Sequence, residues 1–190
     1  MLEGLLVDLV PYGERFLAGA PRWWNNESDF WGGAGRRRFV PRERVAALYR
    51  EWRETPRAQS GVQFGIQTKD GRPIGDLGLN SVSIHNRTAL LGANIGEPEY
   101  WGGGYGTDAL LMVVDYAFDT LDLRRLWLVT MSLNARVVRQ MAKVGFTLEG
   151  RRREAAHADG VWYDELVYGL LREEWPGREA MLQTLSLKPT

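Results

Sequence analysis

The run Gly102-Gly103-Gly104-Tyr105-Gly106-Thr107 lies between an apolar stretch that reads as a strand and a longer one that reads as a helix. Its closely spaced backbone N–H groups carry almost no side-chain bulk, so all can turn toward one anion. The positive end of the following helix dipole falls on the same spot. Such a turn suits a phosphate or diphosphate. The rest of the reactive inventory is narrow. Without cysteine there is no disulfide, thiol nucleophile or thiolate metal site, and His85 and His157 are too few for a histidine-rich centre. No metal is expected, and His85, in a turn, reads as solvated.

Two familiar phosphate-binding patterns fit poorly. A Walker loop ends in Gly-Lys-Ser/Thr, whereas Gly106-Thr107 has no lysine. The segment Gly104-Tyr105-Gly106-Thr107-Asp108-Ala109 matches the dinucleotide pattern G-x-G-x-x-A, but in that fingerprint the first glycine leaves its strand directly. Here Glu97 to Trp101 intervene, and the preceding strands form a meander instead of a βαβ repeat. Basic and acidic residues balance at 24 each, which argues against a surface built for nucleic acid. Locally, Arg36-Arg37-Arg38 and Arg151-Arg152-Arg153 each read either as a solvated face or as an anion site.

The elements that must position the glycine turn follow from periodicity. Leu5 to Val10 reads as a first strand ended by Pro11, and Gly13 to Gly35 as an irregular stretch holding Trp23, Trp24, Phe30 and Trp31. Pro41 to Glu54 reads as a helix, with Val45, Leu48, Tyr49 and Trp52 at helical spacing. A meander follows: Val62 to Thr68, Pro73 to Val82 and Ala89 to Ile95, separated by Lys69-Asp70-Gly71 and His85-Asn86-Arg87. The helix after the glycines should run from Thr107 to Asp119, with Asp108, Asp115 and Asp119 as one wet stripe. Leu126 to Met131 is a strand apolar on both faces. Asn134 caps a helix that turns Val137, Val138, Met141 and Val144 inward and stops at Gly145. Thr147 to Glu154 and Val161 to Leu170 are closing strands, and residues 173–190 a short helical tail. The order predicts one α+β domain over residues 1–190, with one mixed sheet.

On three segments the chain resembles the GNAT N-acetyltransferase superfamily, in particular its RimJ/RimL-like branch, which acetylates protein N-termini and other small amines. They are Ile95 to Leu110, Asn134 to Phe146 and Val161-Trp162-Tyr163-Asp164-Glu165-Leu166. The resemblance spans nearly the whole chain and is weakest over residues 11–60. It implies the GNAT fold, a largely antiparallel mixed sheet of about seven strands with a splayed central pair and about four helices. It also implies acetyl-CoA as co-substrate. Gly102, Gly103, Gly104, Tyr105, Gly106 and Thr107 would wrap its diphosphate. A wedge between the strands ending at Ile95 and near Met131 would take the pantetheine arm as an added strand. Asn134 matches the asparagine that contacts this arm, besides serving as a helix cap. Arg139 either reaches the phosphates or points to solvent.

The implied reaction is attack of an amine on the thioester carbonyl through a tetrahedral intermediate, aided by alignment, proton removal and oxyanion donors, the last being backbone N–H near Ile95. No acyl-enzyme is needed. The chain departs from the family at the usual acid and base positions: Met141 stands for a tyrosine, Val137 for a serine, and Leu90 for a glutamate. Trp101 replaces a basic or amide residue, as is common in this branch. Candidate bases are then Glu97, after the wedge strand, and Asp76, in a neighbouring strand. Their ordinary readings are a turn residue and a satisfied strand group. Asp164 should pair with an arginine.

Family acceptors dock against the segment holding Trp24 and Trp31, whose aromatics are either a slot or core. The expected partner is a small amine or a protein N-terminus, with no nucleic acid and no membrane; a homodimer is compatible. Polyamines are an alternative acceptor, although acidic residues are scattered. A non-catalytic acyl-CoA-binding domain is the alternative to an enzyme. No apolar run approaches the ~18 residues of a membrane span. The start, Met1-Leu2-Glu3-Gly4-Leu5, lacks the features of a signal peptide, so a cytoplasmic location is expected.

Overall fold

The computed structural model describes residues 1–32, 35, 39–55 and 60–188. The Arg36-Arg37-Arg38 run therefore lies outside the described residues. Eight strands form one sheet in the order β1-β2-β3-β4-β5-β6-β8-β7. They are β1 (Leu2–Glu3), β2 (Val7–Pro11), β3 (Val62–Thr68), β4 (Pro73–Ser83), β5 (Thr88–Ile95), β6 (Arg125–Met131), β7 (Thr147–Ala158) and β8 (Val161–Leu171). The helices are α1 (Glu14–Trp23), α2 (Glu27–Gly32), α3 (Arg42–Arg53), α4 (Tyr105–Asp115), α5 (Ala135–Val144) and α6 (Arg178–Leu185). Every pairing is antiparallel except β5 with β6, which α4 connects as a crossover. The predicted α+β class stands, with eight strands and six helices among the described residues where about seven and about four were expected.

The core lies under α4. Leu110, Leu111, Val113, Val114 and Phe118 pack with Ile66, Leu77, Leu79, Leu126 and Leu170 of the sheet, all buried. Asn134 caps α5 through its side chain and Gly145 ends it at φ 92°, as the sequence predicts.

Two expectations need correction. The stretch from Gly13 to Gly35 is not irregular through its length but contains α1 and α2. Pro21 disguises α1, yet it sits in the last turn, and Phe16, Ala20 and Trp23 recur at i, i+4 and i+7 as its buried face. Trp23 seats on the backbone of Gly96, where any Cβ would collide with the indole.

The aspartate stripe is wet only in part: Asp119 is exposed, but Asp115 is half-buried and Asp108 buried. Asp108 is fully buried and accepts hydrogen bonds from the N–H of Leu6 (2.7 Å) and Val7 (3.2 Å). Asp115 accepts from the Trp175 indole (2.6 Å) and the Arg178 N–H (3.1 Å). Asp119 pairs with Arg172 at 3.1 Å. Buried carboxylates persist where hydrogen bonds replace water, and here they fasten both ends of the chain onto α4.

Candidate active site

β5 and β6 share only three register pairs, Thr88–Arg125, Ala89–Leu126 and Leu90–Trp127. Beyond Leu90 they diverge, while β5 stays paired to β4 as far as Ile95 and β6 to β8 as far as Met131. Two facing edges therefore lack a sheet partner. A cleft of about 720 Å³ opens between them, lined by Leu91 to Ile95 of β5 and Leu128 to Thr130 of β6.

The glycine turn closes one end. Gly102, Gly103, Gly104, Gly106 and Thr107 line the cleft with Ile95. Gly102 and Gly104 hold φ of 84° and 90°, conformations that L side chains rarely adopt. At Gly104 the bar is double, because an added Cβ would also meet Leu187 at 2.9 Å and Leu6 at 3.2 Å. Asp108 is the first residue of α4 whose N–H returns to the turn, bonding Gly104 O at 2.9 Å. The N–H groups of Tyr105, Gly106 and Thr107, the first turn of α4, are those a helix leaves without intrahelical partners. The Tyr105 ring takes no part in the wall; it packs edge-on against Tyr100 (4.9 Å).

α5 supplies the opposite wall. Asn134 is buried at its start, and its Oδ1 accepts from the Val137 N–H (3.4 Å). Met141 and Val137 give the wall an apolar strip. Arg136, Arg139 and Lys143 also face the cleft, at i, i+3 and i+7. Gln140 Nε2 donates to Thr107 Oγ1 (3.2 Å), tying this wall to the glycine turn. Among these, Arg139 was expected; Arg136, Gln140 and Lys143 were missed, although their spacing from Asn134 places all of them on neighbouring rows of one helix. Arg136 stacks on Trp101 (3.8 Å) and reaches over Trp31 (5.4 Å), and burial lowers its pKa. Trp101 Nε1 donates to Ile95 O (2.8 Å), fixing the ring over the end of β5.

Of the expected acceptor aromatics, Trp31 lines the cleft together with Ser28 of α2. Trp24 forms the C-cap of α1 and is absent from that lining.

The two candidate bases occupy different surroundings. Glu97 is buried, accepts from the Trp23 indole (2.8 Å) and is ion-paired with Arg22, with Arg72 at 3.9 Å. It is an anchor for the end of α1, outside the cleft wall. Asp76 is half-buried on β4, with Gly65 and Asn94 as its register partners on either side. Asn94 lines the cleft, so Asp76 stands one strand away from it. Its carboxylate accepts from Gln63 Nε2 (2.7 Å), and burial nevertheless pushes its pKa up to about 7. Tyr12, stacked at 4.9 Å on Tyr49, has its phenol pKa raised by burial and by the Asp76 charge. Elsewhere Asp164 pairs with Arg151 (2.8 Å) and Glu165 with Arg152 (2.9 Å), so these two arginines of the second basic run are occupied.

Comparison with known proteins gives these features a family. Residues 16–147 match the acetyltransferase (GNAT) domain. YdaF of Bacillus subtilis (strain 168), a candidate ribosomal N-acetyltransferase, is 30% identical over 146 residues, covering 74% of this chain and 79% of YdaF. Among solved structures, Mycobacterium smegmatis RimJ in complex with CoA-disulfide superposes with a TM-score of 0.77 at 24% identity, over 97% of this chain and 92% of RimJ. The spermidine N-acetyltransferase of Vibrio cholerae, bound to CoA and spermine, gives 0.78 at 20% identity, over 89% and 97%. A split sheet, a glycine turn at its open end and a domain match over most of the length agree: the chain belongs to the GNAT acetyltransferase family and is an acetyl-CoA-dependent N-acetyltransferase.

Proposed function

We propose that this protein acetylates the primary amine of a protein N-terminus or another small monoamine, with Asp76 as the general base. The observation that carries the reading is the pair of facing strand edges that ends at the glycine turn. An extended thioester arm can hydrogen-bond along such an edge as a strand would. Its diphosphate then meets the free amides of Tyr105, Gly106 and Thr107, with Arg139 and Lys143 nearby as counter-charges. The cradle thus suits an anion on both backbone and side-chain grounds. Acetyl-CoA supplies the activated acyl group; the chain supplies alignment, proton removal and donors.

Asp76 serves better than Glu97 because a base works best with a pKa near the working pH. Burial brings Asp76 to about 7, whereas Glu97 is engaged by Arg22 and the Trp23 indole outside the cleft wall. The proton would pass from the ammonium to Asp76, directly or through water, before the amine attacks the thioester carbonyl. The tetrahedral intermediate would then collapse with departure of the thiolate, which takes up the proton that the new amide nitrogen sheds and is a leaving group good enough to tolerate Met141 in place of an acid. Among the described residues lining the cleft there is no carboxylate, which favours a monoamine over a polyamine. The test is thiol release from acetyl-CoA over a panel of peptides with free N-termini, small amines and spermidine. Turnover of peptides or monoamines above spermidine is expected; preference for spermidine would reverse the assignment of acceptor.

A further inference from the structure

We propose that Arg178, on the C-terminal helix α6, is a positioning residue for the co-substrate: it neutralises buried Asp108, whose charge otherwise opposes a diphosphate at the start of α4. The inference rests on the reading that residues 102–107 hold that diphosphate.

The geometry is specific. Asp108 is fully buried one turn behind the free amides of Tyr105, Gly106 and Thr107. Its Oδ2 is taken by Leu6 N–H (2.7 Å) and Val7 N–H (3.2 Å), and its Oδ1 accepts from Arg178 Nη2 at 3.2 Å. A carboxylate there is little screened by solvent, so its field reaches whatever anion the amides hold. Arg178 is itself fixed, since its N–H donates to Asp115 Oδ1 (3.1 Å), which also receives the Trp175 indole (2.6 Å). Beyond α6 the chain returns to the site: Leu185 and Leu187 line the cleft, and Leu187 abuts Gly104. The tail thus touches the turn twice, once through charge and once through packing.

Titration calorimetry with CoA and with pantetheine, which lacks the diphosphate, separates this role from a structural one. Wild-type protein should bind CoA more tightly than pantetheine. Arg178→Gln should weaken CoA about tenfold, with pantetheine changed less than about twofold. Asp108→Asn removes the opposing charge and keeps an oxygen for Leu6 and Val7, so CoA should bind about threefold more tightly. The double variant should return to within about threefold of wild type. Thermal melts run alongside, and both single variants should melt lower. Equal losses for both ligands in Arg178→Gln, or weaker CoA binding in Asp108→Asn, would overturn the proposal and leave the pair as a brace for the fold. Should Arg178→Gln fail to fold, the sign of the Asp108→Asn change decides alone. A wild-type protein that does not distinguish CoA from pantetheine would remove the diphosphate reading first and this one with it.

Discussion

At the glycine turn the wall of the cleft is main chain, three free amides and glycines, two of them at positive φ; toward α2 it is side chain, Ser28 and Trp31, with the Asp76 carboxylate one strand away. In the proposed reading the first region would recognise a ligand part that every acetyl donor shares, so backbone geometry would suffice. The second would have to fit one acceptor and tune one proton, and both depend on side-chain identity and burial. Glu97 and Asp76 sharpen the contrast. Both are carboxylates close to β5 in sequence or register. One is paired with arginine and indole; the other, half-buried, accepts from the Gln63 amide. Pairing holds a carboxylate ionised, and burial without a cation holds it near neutrality.

The largest effect expected from breaking this contrast is in Asp76→Asn. Loss of a general base should lower kcat by roughly 100- to 10,000-fold, with the affinity for CoA unchanged. The wild-type rate should rise with pH through about 7, and that limb should vanish in the variant. Stability gives an independent check. The folded pKa of Asp76 lies above its ordinary value, so its contribution is fully present below the unfolded value and is lost as pH rises through about 7. Asp76→Asn should therefore raise the melting temperature more at pH 8 than at pH 5. An unchanged kcat would hand the base role to another group.

Next in size is Gly104→Val. A branched side chain at φ 90° with Leu187 in its way should displace the turn and weaken CoA by about 100-fold, measured by calorimetry. Circular dichroism should show the sheet retained. Glu97→Gln should cost about 1 kcal/mol in urea unfolding, through the lost ion pair with Arg22, while kcat stays within about threefold. A large loss of kcat there would invert the roles assigned to the two carboxylates. The smallest effect is expected from Arg139→Ala, a rise of roughly threefold to tenfold in KM for acetyl-CoA that shrinks at high salt.

The glycine turn at the end of the cleft was legible in the sequence because such turns need glycine, and glycine leaves a pattern. The helix from Asn134 to Gly145 was legible for the same reason: its cap and its stop each require particular residue types. The acceptor end was not. The stretch from Gly13 to Gly35 read as irregular, although Pro21, in the last turn of α1, leaves the Phe16–Ala20–Trp23 face intact. Asp108 and Asp115 looked as solvent-facing as Asp119 because their partners, Leu6, Val7, Trp175 and Arg178, lie far away in the chain. Nor does any local pattern distinguish Glu97 from Asp76, since their difference is one of neighbours. Trp24 and Trp31 share a segment, yet only Trp31 lines the cleft.

Three rungs join the two halves of the sheet. The strands carrying α4's crossover thus meet as two panels held at one edge, with their remaining backbone groups facing open space. A bound thioester arm would act as the missing rung material, and the empty protein should be softest along that seam. Amide exchange between residues 91 and 95 and between 128 and 131 would then slow on adding CoA, and the whole domain would melt later in proportion to the logarithm of ligand concentration. Catalytic competence and mechanical integrity would be conferred by the same molecule.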